Sequence, residues 1–246
     1  MANTLNTLLE RMYEMYKISV HPSYLMPITE KHQLDGLSFF PIGDGRLKSK
    51  DDFNRNTELP QKNVMIVGSD WGTENDFNSK KISNSENTSI TWKGIRDIVE
   101  QYGIANAESI FFTNAIMGLR IKDMGESSTK LLPIWKKKER INNDFYEQNI
   151  KFFKEQLKLI RPKYIIGLGI KVANFLGDVF DENDFKKAKN FSDLGIEIEV
   201  TLKKDSFNDS FTAFIIFHPS FRKLNRINNP KRAQIEDRFF LERFKL

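Results

Sequence analysis

Three polar residues, far apart in the chain, each end an apolar run, and together they supply an acid, an amide and an imidazole. Val64-Met65-Ile66-Val67 runs into Gly68-Ser69-Asp70, Ser109-Ile110-Phe111-Phe112-Thr113 into Asn114, and Phe211 to Phe217 into His218-Pro219-Ser220. A carboxylate such as Asp70 can orient or deprotonate a water. The Asn114 amide offers a donor and an acceptor with which to read a complementary edge, and the His218 imidazole can hydrogen-bond a developing oxyanion. Taken singly, each has a plainer reading. Asp is a common turn or helix cap and Asn a common strand-end turn residue, whereas Pro219 directly after a strand fixes the chain direction there.

The elements that carry these residues are legible as periodic patterns. Leu5, Leu8, Leu9, Met12 and Tyr16 recur at helical spacing, which predicts an amphipathic helix over 4–17. The Pro- and Gly-containing stretch over 21–60 reads as a wrapping arm, with an exposed loop over 48–56. Beyond the first strand, a polar segment over 74–89 precedes a helix over 91–102 that ends at Gly103, the position of a C-terminal cap. Residues 122–140, including Lys136-Lys137-Lys138, read as a loop. A long helix opens at Asp144, repeats apolar residues from Tyr146 to Ile160 and stops before Pro162. Tyr164-Ile165-Ile166-Gly167-Leu168 is a third strand, followed by Gly169 and a helix over 171–176. An alternating half-exposed strand over 196–200, the strand over 211–217, a basic loop and a closing helix over 230–244 complete the chain.

Strands alternating with helices predict a mostly parallel sheet covered on both faces, a three-layer α/β/α fold. In such a sheet the strand ends point the same way, so Asp70, Asn114, Gly167, Gly169 and His218 converge on one rim, where open α/β sheets bind ligands. The chain reads as one domain of 246 residues: an N-terminal helix and arm over 1–60 and an α/β core over 61–246. With 39% hydrophobic residues and 21 Phe it has ample core material. The absence of cysteine excludes disulfides, thiolate metal sites and a cysteine nucleophile. No stretch approaches the roughly 20 apolar residues of a membrane span, and the first residues lack the layout of a secretory signal. A monomeric cytoplasmic protein with no membrane partner is expected. The net charge of +5 is consistent with a nucleic-acid partner and equally with an ordinary lysine-rich surface.

The ordered set Gly68-Ser69-Asp70, Thr113-Asn114-Ala115 and His218-Pro219-Ser220 resembles the motifs of the uracil-DNA glycosylase superfamily over about residues 60–245. There Gly-x-Asp-Pro or Gly-x-Asn-Pro follows the first strand, Thr-Asn or Leu-Asn a middle strand, and His-Pro-Ser the last. Ile166-Gly167-Leu168-Gly169-Ile170-Lys171 is similar to the family's strand–glycine–helix element. Trp71 stands where the family has proline or alanine, and the family's base-stacking aromatic is missing from 82–90, which leaves Phe77 or Trp92 to substitute.

The resemblance implies hydrolysis of the N-glycosidic bond of uracil or another damaged base flipped out of DNA, without metal or cofactor. Asp70 would hold the attacking water and His218 the base carbonyl. Asn114 would read the base edge, with Trp71 and Phe77 lining the base site. Ser69 and Ser220 would hold phosphates, Leu224 would fill the gap in the stack, and Arg222, Lys223 and Arg226 would neutralise the backbone, aided by Lys231 and Arg232. Two alternatives stand beside it: a weak or inactive member that binds DNA or a modified base, and a hydrolase of free nucleosides or nucleotides.

Overall fold

The structure is a computed structural model that describes residues 5–19, 21, 25–27, 63–73, 90–104, 110–121, 140–195, 198–204 and 207–244. Its centre is a five-stranded sheet of β2 (Val64–Gly68), β3 (Ile110–Asn114), β5 (Tyr164–Leu168), β7 (Phe207–Ile216) and β6 (Ile198–Lys204), in the order β3-β2-β5-β7-β6. The first four are mutually parallel, and β6 closes the edge antiparallel to β7. The remaining strands, β1 (Leu25–Met26) and β4 (Leu119–Arg120), form a separate antiparallel pair.

The near-continuous apolar composition of the parallel strands follows from burial on both faces. Alternation sends Met65, Val67, Phe111, Ile165, Ala213 and Ile215 to one face. That face is covered by α1 (Leu5–Ile18), α3 (Arg140–Ile160) and α4 (Ile170–Phe180). Val64, Ile66, Phe112, Ile166, Phe214 and Ile216 point the other way, beneath α2 (Ile90–Tyr102) and α7 (Pro230–Phe244). The three-layer α/β/α expectation is therefore met, and each buried Phe, Ile or Val contributes about 1.5–3 kcal/mol of burial free energy.

Several boundaries differ from the sequence reading. Helix α3 begins four residues before Asp144, and α4 runs on to Phe180, past the expected end at 176. The segment read as a basic loop is instead a 3₁₀ turn, Pro219–Phe221, leading into α6 (Arg222–Asn228). A short helix α5 (Asn183–Lys187) packs on α4, as the long α4 presents a second face. The closing helix α7 has the expected bounds. Most of the arm over 21–60 lies outside the described residues, as do Phe77, the loop over 48–56 and Lys136-Lys137-Lys138.

The sheet order contains one reversal of direction. From β2 the chain passes outward to β3, then crosses back to β5 on the other side of β2 and continues outward to β7. Connections thus diverge at the β2–β5 boundary, the topological switch point at which doubly wound sheets open a crevice beyond the strands' carboxyl ends.

Candidate functional site

Register fixes how the strand ends line up. Gly68 pairs with Asn114, Val67 with Gly167, and Leu168 with Ile216, so Asn114, Gly68, Leu168 and Ile216 form one row across the rim. Asp70 and His218 each stand two residues beyond that row. The strands that carry them are separated only by β5, about 10 Å in all. On that middle strand Gly169 adopts φ +90°, a left-handed value that favours glycine. Its N–H donates to the Ile216 carbonyl at 2.9 Å. A Cβ on Gly169 would lie 3.6 Å from the Cβ of His218. The backbone conformation, rather than crowding, is what calls for glycine here, because 3.6 Å is ordinary van der Waals contact.

The β2 and β3 ends are tied together past the sheet. Ala115 N–H donates to the Gly68 carbonyl at 2.8 Å, and Ile116 N–H to that of Ser69 at 3.0 Å. The loop after Asn114 is held from the helical layer, since Tyr16 Oη donates to the Met117 carbonyl and Asn149 Oδ1 accepts the Met117 N–H. Asn114 itself is 1% exposed, and its Nδ2 has no hydrogen-bond partner among the described residues. A buried amide N–H left unmade is costly, so an acceptor supplied by a ligand or water would be favoured there.

Asp70 is not a simple exposed acid. One oxygen, Oδ1, accepts the Gly72 N–H at 2.8 Å and lies 3.4 Å from Arg120 Nε; the Asp70 side chain is only 4% exposed. Burial pushes its carboxyl above the ordinary value, while Arg120 and the Gly72 amide pull the other way. Arg120 reaches this position because β4 is pinned on two sides. Its N–H donates to the Gly72 carbonyl at 2.8 Å, and β4 pairs with Leu25–Met26 of the arm. No periodicity or motif marked Arg120 in the sequence, because its placement depends on this long-range pairing.

His218 carries the clearest chemical information. Its Nδ1 accepts the Ser220 backbone N–H at 3.3 Å, so the neutral ring bears its proton on Nε2. Burial lowers the pKa of the ring, which keeps it neutral near pH 7. The turn is pressed against α2: a Cβ on Gly94 would come within 2.9 Å of both the Cβ and carbonyl oxygen of Pro219. An Ala in a helix interior normally gains about 1 kcal/mol over Gly. Gly94→Ala is expected to reverse that sign, costing about 1–2 kcal/mol through overpacking, read as a lower urea midpoint.

Other expected site residues divide by environment. Trp71 is 5% exposed within the core cluster that contains α1, and Trp92 packs edge-to-face on Phe112 in the opposite core, so both rings are buried. Ser69 is partly buried beside Asp70. Ser220 shares a 2.7 Å hydroxyl contact with Thr91 of α2. Arg222 Nε donates to the buried Glu236 at 2.7 Å, and Arg226 forms a two-pronged pair with Asp237 at 2.7 and 3.0 Å. Arg232 is 5% exposed and donates to the carbonyls of Leu194, Gly195 and Ile215. These three guanidiniums are engaged within the fold and brace the turn and α7. Lys223, Leu224 and Lys231 are exposed.

Glu236 is the residue that sequence reading missed entirely. It accepts the Phe217 N–H immediately before His218 and the Arg222 guanidinium immediately after the turn, gripping the motif at both ends. Its place on the inner face of α7 makes it look, in sequence, like one more surface acid in a charged helix. No protein-family model matches the chain, and no curated protein matches it either.

Proposed function

We propose that this chain is a DNA glycosylase that hydrolyses the N-glycosidic bond of uracil or another damaged base. The observation that carries the reading is the neutral His218 ring, its single proton fixed on Nε2 at the rim of the sheet. As the bond between the sugar C1′ and the base nitrogen breaks, its electron pair leaves with the base and the sugar becomes cationic. The His218 Nε2–H would hydrogen-bond the base carbonyl on which that negative charge grows, a neutral donor that need not lose its proton. The Asp70 carboxylate would stabilise the sugar cation and take a proton from the water that attacks C1′. The Asn114 Nδ2–H, without a partner among the described residues, would donate to an acceptor on the base edge. A base in a duplex must leave the stack to reach this rim.

A second reading, binding to DNA or a modified base without cleavage, is favoured by one observation. The Asp70 carboxylate already faces a guanidinium at 3.4 Å, which satisfies part of the charge a sugar cation would need. The Arg120→Gln variant bears on both readings. Removing Arg120 takes away a pull that lowers the Asp70 pKa, so the acid limb of the activity profile should move to higher pH.

The stability effect has a definite sign. A carboxyl whose folded pKa exceeds its ordinary 3.8 favours the folded state at low pH, and this advantage is lost as pH rises through the folded value. Arg120→Gln should therefore be less stable than the parent at neutral pH and regain ground as the pH falls through the folded value toward 3.8. Excision profiles and urea midpoints across pH check both expectations.

A further inference from the structure

The turn after His218 opens on a groove that lies apart from Asp70 and Asn114, although Ser220, Lys223 and Leu224, expected above to contact DNA, are among its lining residues. It is a cavity of about 440 Å³ between α2 and α6, and its lining includes Pro219 and Ser220, the two residues directly after His218. Its apolar walls are unusually bare. Ile90 is 68% exposed on one side; Phe221, Leu224 and Ile227 are 62%, 58% and 67% exposed on the other, at steps of three along the turn and α6. Lys93 from α2 and Lys223 from α6 also line the groove, against a single acid, Asp97.

A flat apolar floor with an exposed aromatic ring and cations contributed from both walls is the chemistry of a nucleotide: a base to stack and a phosphate to neutralise. The groove also contrasts with the expected wedge at Leu224. Filling a gap in a duplex needs one projecting side chain, whereas Leu224 stands in a row of apolar neighbours that forms one wall of an open groove. A walled groove receives a base rather than replacing one, and only an unpaired base has a free face to offer.

We propose that this groove is a second nucleotide subsite, which stacks an unpaired base neighbouring the excised nucleotide on Phe221 and so directs the protein to single-stranded DNA. The subsite rests on the reading of the chain as a DNA-acting protein. Gly94 packs against Pro219 at the groove floor, so the subsite and His218 share one rigid turn, and occupying the groove positions the neighbouring nucleotide at the rim.

The test uses the full chain and a short fluorescein-labelled single-stranded oligonucleotide carrying one uracil on a hydrolysis-resistant 2′-fluoro sugar, with 2-aminopurine beside it, and its duplex counterpart; excision is read on the same strand with ordinary deoxyuridine. Polarisation at low salt should show tighter binding of the single strand than of the duplex, with quenching of 2-aminopurine as it stacks. Phe221→Ala should weaken single-strand binding by roughly 5- to 100-fold and abolish the quenching, while Phe221→Trp preserves both. Because residue 221 is exposed, an unchanged urea midpoint verifies that each variant is folded.

Unchanged binding and quenching in Phe221→Ala, in a protein that still excises uracil, would overturn the subsite and leave the glycosylase reading intact. Phe221-dependent stacking with no excision of any base would support the subsite and sink that reading. Binding of neither oligonucleotide would overturn both. Self-association that Phe221→Ala disperses, seen by sedimentation, would identify the groove as an interface between copies and overturn the subsite.

Discussion

Replacing Glu236 with alanine is expected to cost about 3–5 kcal/mol, the typical penalty for breaking a buried ion pair from one side. The carboxylate is fully buried, and its loss strands two donors, the Phe217 N–H and Arg222 Nε at 2.7 Å. A domain of this kind has about 5–15 kcal/mol in total, so Glu236→Ala should unfold at a much lower urea concentration or be recovered only in part. Glu236→Gln keeps an oxygen for the Phe217 N–H and the shape of the side chain, and should lose less. The ordering alanine below glutamine below parent, in urea midpoints, is the expected result. Equal midpoints for all three would mean that α7 does not hold the His218 turn.

His218→Ala is expected to slow base excision by about 100- to 1,000-fold, the range seen when a single oxyanion donor is removed. The partly buried ring is held by the Ser220 amide and has no ion pair among the described residues, so the folded state should survive with a smaller stability change than in Glu236→Ala. The same geometry predicts how the ring titrates. A histidine whose folded pKa lies below 6.5 destabilises the folded state as pH falls beneath that value, because the unfolded chain takes up a proton that the buried ring resists. His218→Gln removes this penalty while keeping a donor. It should therefore lose less activity than alanine and show a weaker loss of stability between pH 6.5 and 5.

The parts of this account that were legible in sequence are those set by local pattern. Apolar runs such as Tyr164–Leu168 could only be doubly buried strands, and their alternation with helices left few arrangements other than a parallel sheet between two layers. The parallel direction then brought Asp70, Asn114 and His218 to one edge without any contact needing to be known. What escaped was set by contacts between distant segments. Arg120 meets Asp70 only because the arm supplies a partner strand for β4. Trp71 looked available at the rim, yet the chain turns its ring inward to the α1 layer. Arg222 and Arg226 follow the His-Pro-Ser turn as a basic run that suits phosphates, but α6 lies against the acidic face of α7 and their charge is matched there. The exposed row Phe221, Leu224 and Ile227 likewise required α6 to exist, and a segment of seven residues rich in Asn and Arg gives little helical signal.

The central claim is that Asp70 and His218 act together on a glycosidic bond, and the most direct measurement is single-turnover formation of abasic sites. Single-stranded oligonucleotides carrying one uracil, hypoxanthine or xanthine are incubated with excess protein at pH 7 and cleaved with alkali to reveal the lost base. Strand scission is expected for at least one of these bases with the parent chain, with a drop of about 100-fold or more in His218→Ala and comparable loss in Asp70→Asn with the fold intact. Tight binding of the oligonucleotides with no abasic sites for any base, or scission that persists undiminished in both variants, would contradict the claim.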